Sequence, residues 1–283
     1  TARVYGTIPL RDEEDADVHF EIAGGMYHWW KFTVPNLAGH VHWQGSRLTL
    51  TDVRTDFYEG SAVGAAVFDF TPEVGTDFQF SLTTTNTLLQ ALMADLSPRT
   101  NHLEGRLNAT LVVTRANTED WRSVCGYGDL DLRDGLIWDI PIFGIFTPVL
   151  NSLAPGLGHS RASAGTCTYV ITNGVFRTDN LELRAPALHL VYRGTVDLQE
   201  QVNARVEAEL LRDMWVVGPL VSTVFWPVTK MFEYKVSGSM DQPKMQPVFL
   251  IPKLMMLPFH PFRTLKSLVP EENNTNRATA PPR

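Results

Sequence analysis

Histidines near the start of the chain are the residues whose type and spacing best suit metal chemistry. His40 and His42 are two residues apart and would share one face of a β-strand, with His28 upstream as a third imidazole for zinc. Three tryptophans flank these histidines in the sequence: Trp29, Trp30 and Trp43. Because two ligands on one strand do not make a site, the pattern favours an aromatic cluster with half-buried histidines. The sequence therefore predicts no metal site and no cofactor.

A second candidate for metal chemistry is a run of carboxylates. Asp129, Asp131 and Asp134 precede Gly135, as in a calcium loop. The twelfth position of such a loop, which needs a bidentate Glu, is Ile140. The first two aspartates also alternate with leucines, so we expect them on the solvated face of a strand.

Catalytic and nucleic-acid-binding signatures are absent from the sequence. It contains no G-x-S-x-G elbow, no H-E-x-x-H and no glycine-rich phosphate loop. The net charge is −7 and no run of Lys and Arg occurs, whereas binding to phosphates requires clustered cations. We therefore expect a protein that is not an enzyme and does not bind nucleic acid.

Alternation of apolar and polar residues with a period of two is the dominant pattern, and it predicts β-strands. It is clearest in residues 18–22, 107–113, 202–210 and 232–236. Strands with one apolar and one polar face are typical of antiparallel or open sheets. The predicted fold class is therefore mainly β.

Helical patterns are few and short. Residues 88–93 have apolar spacing for one helix, with Asn86 as its N-cap and an end before Pro98. The apolar segments 141–153 and 211–231 are broken by Pro and Gly, so we expect short amphipathic helices or turns packed against the sheet. The longest apolar stretches, 214–228 and 249–259, are interrupted by Pro, Gly or Lys and are shorter than the ~20 residues of a membrane span.

A loose internal repeat supports an extended sheet. Residues 41–70 and 169–198 both read as strand, glycine turn, strand and strand, with Gly45 and Gly174 at the first turns. Recurring short strands at this spacing favour a stacked or elongated sheet over a compact barrel, although any two meanders of this kind look alike.

Several segments resemble one known family. GYGDLDLRDGLIWDIPIF at residues 126–143, YVITNG at 169–174, YRGTVDL at 192–198 and YKVSGSMDQP at 234–243 follow the order and spacing of the C-terminal region of the AsmA-like family. The resemblance and the composition together divide the chain into four parts: a β-rich N-terminal segment with weaker resemblance at 1–125, the AsmA-like region at 126–248, an apolar and basic strap at 249–270, and a Pro-rich polar tail, expected to be disordered, at 271–283.

The resemblance implies an elongated, twisted, antiparallel-rich sheet folded over an apolar groove, called a β-taco. It also implies a protein of the Gram-negative envelope that lies in the periplasm, is tethered to the inner membrane by an anchor upstream, and takes part in phospholipid transport between the inner and outer membranes. The expected partners are phospholipid acyl chains and these two membranes.

Rows of apolar residues at alternate positions would form such a groove, because each CH₂ removed from water contributes about 0.8 kcal/mol. The predicted groove residues come from both repeat regions: Trp43, Leu48, Leu50, Val63, Ala65, Val67, Leu181, Leu183, Leu188, Leu190, Val202 and Val206. The same alternation is also typical of an ordinary β-sandwich core.

Other interpretations stay open at this stage. An assembly factor for outer-membrane proteins would use the same sheet but pair an exposed edge strand with client strands. A secreted carbohydrate-binding β-sandwich would stack its tryptophans on sugar rings. Cys125 and Cys167 allow either one disulfide or two free thiols. The strap at 249–270 suits either a membrane interface or a cover at the end of the sheet.

Overall fold

The structure, a computed structural model, describes residues 1–8, 16–29, 31–96, 102–148, 151, 156, 159, 161–185, 188–210 and 232–248. Three predicted segments lie outside these residues: the apolar segment 211–231, the strap 249–270 and the tail 271–283. None of the described helices has the length and apolar character that a membrane span requires.

One antiparallel sheet contains all the described strands, and they lie side by side in the order in which they occur in the chain. The strands are β1 (Ala2–Thr7), β2 (Asp17–Trp29), β3 (Phe32–Gln44), β4 (Arg47–Phe57), β5 (Gly60–Asp69), β6 (Asp77–Leu88), β7 (Glu104–Asn117), β8 (Cys125–Leu136), β9 (Ala162–Thr172), β10 (Val175–Ala185), β11 (Leu188–Asp197), β12 (Gln201–Leu210), β13 (Phe232–Ser239) and β14 (Lys244–Pro247). The prediction of a mainly β, elongated antiparallel sheet is confirmed. The expected division at residues 125 and 126 falls at the start of β8, which pairs with β7 within the same sheet.

Two-residue turns join many neighbouring strands and set their register. Gly45 opens the β3–β4 turn with φ 53°, and Asn173 and Gly174 form the β9–β10 turn with φ 52° and 72°. Positive φ at both central residues produces the turn that matches strand twist. Both repeat regions are therefore three-stranded meanders, as the sequence predicts.

The register gives the sheet an apolar face and a polar face. Directly opposed residues form a row of apolar residues across the sheet from β2 to β12: Phe20, Val41, Leu50, Ala66, Phe80, Val113, Gly126, Ile171, Phe176, Val196 and Val202. A row on the opposite side from β2 to β6 is mostly polar: His19, His42, Thr49, Val67 and Gln79. We call these two sides the apolar face and the polar face.

Two short α-helices with defined bounds accompany the sheet in the described part of the chain. The first, α1 (Leu89–Leu96), follows β6 where the sequence predicts a helix. The predicted N-cap is wrong, because Asn86 lies inside β6 with φ 58° at an irregularity in the β6–β7 pairing. Its N–H donates to Asn108 Oδ1 at 2.8 Å, which holds it in the strand. The second helix, α2 (Pro141–Gly144), begins with Pro at a position where no donor is lost.

Residues 137–146, which include α2, form a plug over part of the apolar face. Ile137 and Phe146 are each only 1% exposed, and Phe143 is also buried. They belong to one core cluster with apolar-face residues of β8 and β10–β13. We call the apolar face of β8–β13 the covered half and the apolar face of β2–β6 the open half.

Candidate functional site

The open half of the apolar face is the candidate binding surface. Its central side chains, Phe20, Val41, Leu50 and Phe80, are only half-buried although they lie on the apolar side of the sheet. Trp43 is 41% exposed. Large apolar side chains that stay accessible over several strands are unusual in a folded chain, and such patches mark sites of interaction with proteins, membranes or ligands.

Aromatic rings line one end of the open half. The Phe68 and Phe78 rings stack with centroids 6.0 Å apart, and Phe78 and Phe80 stack at 6.3 Å. Trp43 on β3 lies in the same cross-strand row as Leu48 and Phe68. Its Nε1–H donates to the carbonyl oxygen of Gly45 at 2.7 Å, so the polar atom of the indole is satisfied within its own turn.

A pocket of about 230 Å³ lies on the polar face, on the other side of the sheet from this aromatic end. Its lining includes Val67 and Gln79 of the polar face together with two cations and two carboxylates: Arg47, Arg115, Asp69 and Asp77. Hydrogen bonds from Thr71 hold the pKa of Asp69 below its ordinary value, and the charge of Arg47 acts in the same direction. The pocket therefore places charges of both signs on the polar face, on the other side of the sheet from the open half.

The covered half is a packed core and not an accessible groove. The Phe146 ring meets Tyr192 and Tyr234 edge-on, with centroids 6.1 and 5.5 Å apart. Tyr192 Oη donates a hydrogen bond to the Ile142 carbonyl oxygen at 3.1 Å. Burial raises the pKa of Tyr192 and of Tyr234 above the ordinary value, so both phenols stay neutral.

The predicted groove residues other than Leu188 separate into three groups. Trp43, Leu48 and Leu50 lie on the open half. Five lie on the apolar face within the covered half: Leu181, Leu183, Leu190, Val202 and Val206. Leu190 and Val206 are 1% and 0% exposed, so this region is core and the prediction of an accessible groove there is wrong. The backbone of Leu188 pairs with that of Ala185.

The third group, Val63, Ala65 and Val67, lies on the polar face, which corrects the prediction. Val63 pairs with Arg54 and Thr83, and Val67 pairs with Thr49 and Gln79. The apolar-face residues of β5 are instead Ala62, Gly64, Ala66 and Phe68. Because β5 is apolar at nearly every position, alternation does not decide its face, and a shift of one residue exchanges the two sides.

Several residues of the open half were not among the predicted groove residues. Phe78, Phe80 and Leu82 alternate with Asp77, Gln79 and Ser81, which is the same period-two signal used elsewhere. Their partners across β5 are Phe68, Ala66 and Gly64. Extending the alternation search to residues 77–83 would have found them.

The described members of the expected histidine and tryptophan cluster lie apart, and Trp30 is outside the described residues. His28 Nδ1 lies 3.1 Å from Thr33 Oγ1 near the β2–β3 turn, whereas His42 lies at the other end of β3. The backbone of Trp29 pairs with Phe32, far along the strand from Trp43. Asp129 and Asp131 lie on β8, directly opposite Thr168 and Thr166, so they belong to a strand and not to a calcium loop.

The two cysteines are free thiols. Cys125 begins β8, whereas Cys167 on β9 pairs with Leu130. Cys125 lies five residues before Leu130 on the same strand. At ~3.3 Å per residue, it is therefore about 16 Å along the strand from the position opposite Cys167. A disulfide needs Cα atoms within about 7 Å, so this fold does not allow one.

Comparisons of the chain with protein-family models, with curated proteins and with solved structures find no match. The fold and the candidate site therefore define a class only at the level of architecture. The chain is a large, open antiparallel sheet with one apolar face, half of which is covered by a plug from the same chain.

Proposed function

We propose that the open half binds the acyl chains of lipids, and that the protein is a non-enzymatic member of the AsmA-like family. The observation that carries the proposal is the unbroken row Phe20, Val41, Leu50, Ala66 and Phe80, whose members oppose one another across five strands. No charged residue interrupts this row. A row of this kind binds hydrocarbon through burial alone and requires no specific polar contact.

The dimensions of the row suit an acyl chain. Four spacings between β2 and β6, each ~4.8 Å, give a length of about 19 Å. Half of the hydrocarbon core of a bilayer, the depth reached by one acyl chain, is about 15 Å. At about 0.8 kcal/mol for each buried CH₂, contact with even half a chain compensates for the ordering of a lipid.

The resemblance of residues 126–143, 169–174, 192–198 and 234–243 to the AsmA-like family favours a phospholipid over a plain hydrocarbon as the ligand. We propose phospholipid as the ligand, in transport between the inner and outer membranes of an envelope whose periplasm contains this protein, tethered to the inner membrane.

Site-specific photo-crosslinking tests the proposal with controls one residue away. A photoreactive residue replaces Leu50 or Phe80 on the open half, or Thr49 or Gln79, which form the adjacent row on the polar face. The variants are irradiated in cells with labelled lipid. Phospholipid attached at 50 and 80 but not at 49 and 79 is the expected result. Equal labelling on both faces, or no labelling at 50 and 80 in folded protein, would overturn the proposal.

One observation favours a second candidate, an assembly factor for outer-membrane proteins. All six residues of the edge strand β1 are exposed, and an exposed edge is a surface to which a client strand can add. In that case photoreactive residues at Val4 or Tyr5 would capture outer-membrane proteins, and Leu50→Glu would leave the capture unchanged. The carbohydrate-binding β-sandwich has less support, because the described strands form one sheet and their tryptophans are not clustered.

A further inference from the structure

Three metal-ligating side chains converge on the polar face at the N-terminal end of the sheet. Asp17 and His19 are two residues apart on β2 and therefore point to the same side. His42 on β3 is the direct cross-strand partner of His19. The register of one hairpin thus brings together residues that are far apart in the sequence.

The distances among these groups are those of a metal site. Asp17 Oδ1 lies 2.9 Å from His42 Nε2 and 3.3 Å from His19 Nε2. One ligand atom from each of the three residues lies within 4.8 Å of the others. Around a tetrahedral zinc ion with bonds of ~2.0–2.1 Å, neighbouring ligand atoms are about 3.3 Å apart. Both Asp17–histidine distances are close to this value.

Aromatic stacking holds the two imidazoles in place. The His19 and His42 rings are stacked with centroids 4.1 Å apart and planes within 7° of parallel. The Tyr5 ring on β1 stacks on His19 at 5.1 Å, so three neighbouring strands each contribute one ring. Because a metal ion lies in the plane of each imidazole that binds it, the two rings must tilt relative to each other to share one ion, and they are already adjacent.

The donor set selects the kind of ion. Two imidazole nitrogens and one carboxylate oxygen suit zinc, whereas calcium and magnesium prefer oxygen ligands. The side chains of Asp17, His19 and His42 are 52%, 39% and 36% exposed, so an ion and a water molecule as fourth ligand have access. We propose that Asp17, His19 and His42 bind one Zn²⁺ ion. The site lies on the opposite side of the sheet from the lipid surface, so the proposal does not depend on the proposed function.

His40 provides a matched control. It lies on β3 two residues before His42 and on the same face, but it is paired with Asp52, at 3.8 Å, outside the three-residue cluster. A zinc site at Asp17, His19 and His42 does not need His40. Nonspecific binding to surface histidines would involve both residues equally.

The test is calorimetric titration of the whole chain with Zn²⁺, in a Cys125→Ser, Cys167→Ser background that removes thiolate ligands. One equivalent is expected to bind, and His19→Gln, His42→Gln or Asp17→Asn should each weaken the affinity by more than about tenfold, while His40→Gln has no effect. Tetrahedral absorption from bound Co²⁺ should show the same dependence. The three side chains are exposed, so far-UV circular dichroism should show intact strands in every variant. No saturable binding, or equal losses for His42→Gln and His40→Gln, would mean that the cluster is an Asp–His hydrogen-bonded group only.

Discussion

The hydroxyl of Tyr192 on β11 donates a hydrogen bond to the carbonyl oxygen of Ile142 in the plug, at 3.1 Å. Tyr192 is 3% exposed, and its ring also meets Phe143 edge-on at 5.2 Å. One side chain of the sheet thus satisfies a backbone acceptor of the plug and packs against its apolar residues. This contact helps to determine which half of the apolar face is covered.

Tyr192→Phe should destabilise the protein by about 1 kcal/mol, because the ring remains but the carbonyl oxygen of the half-buried Ile142 loses its donor. Urea unfolding followed by circular dichroism measures the change. Tyr127→Phe is the matched control: Tyr127 is 54% exposed, and its replacement should change stability by less than about 0.5 kcal/mol. Equal effects of the two substitutions would contradict the role assigned to the hydrogen bond.

Phe146→Ala should lower the free energy of unfolding by about 3–5 kcal/mol, because it removes a fully buried ring and leaves a cavity between the plug and the sheet. Phe20→Ala makes the same chemical change on the open half, where the ring is only half-buried. Its cost should be less than half as large. Urea unfolding of both variants compares them directly, and similar losses would mean that the open half is packed like the covered half.

Much of the sheet is predictable from the sequence, because alternation and turn residues are local signals. The strands around residues 18–22, 107–113 and 202–210 and the turns at Gly45 and Gly174 all form as predicted. The α1 helix is also recognisable, but its predicted N-cap, Asn86, is held in β6 by a contact with Asn108 on the neighbouring strand. Capping propensity depends on residues close in the sequence, so it does not include a hydrogen bond to another strand.

Placement of the candidate sites depends on long-range register and is less predictable. The sequence correctly puts His40 and His42 on one strand face, yet the partner of His42 is His19, 23 positions earlier, and the pairing follows from the β2–β3 register. Similarly, Leu190 and Leu50 have the same alternation, but only Leu190 lies beneath the plug. The alternation of apolar and polar residues within a strand does not show whether another segment of the chain will cover its apolar face.

The two thiols should differ in reactivity. A hydrogen bond from the backbone N–H of Asn173 lowers the pKa of Cys125, and Arg115 acts in the same direction. Burial raises the pKa of Cys167. Since the thiolate is the nucleophile, iodoacetamide at neutral pH should alkylate Cys125 at least about tenfold faster than Cys167, as followed by peptide mass spectrometry. Preferential labelling of Cys167, or isolation of a native Cys125–Cys167 disulfide, would contradict the β8–β9 register.

Tyr169 should make stability depend on pH in the alkaline range. Its hydroxyl donates to the Thr110 carbonyl oxygen at 3.1 Å, and burial, followed by the negative charge of Asp129, raises its pKa to about 12. In the unfolded chain the pKa is about 10, so the folded protein holds this proton more tightly. The resulting stabilisation is complete below about pH 10 and is lost as the pH rises through about 12.

Urea unfolding at about pH 9 and about pH 11 tests this dependence, since the two values lie on either side of the tyrosine pKa in the unfolded chain. Tyr169→Phe should lose less stability than the wild type over this interval, because it has no proton to release at this position. Tyr127→Phe, at an exposed position on the same sheet, should follow the wild type. The stability of Tyr169→Phe could instead depend on pH in the same way as that of the wild type. The Tyr169 phenol would then not be buried against Thr110, and the side chain of Tyr169 would pack differently on the sheet.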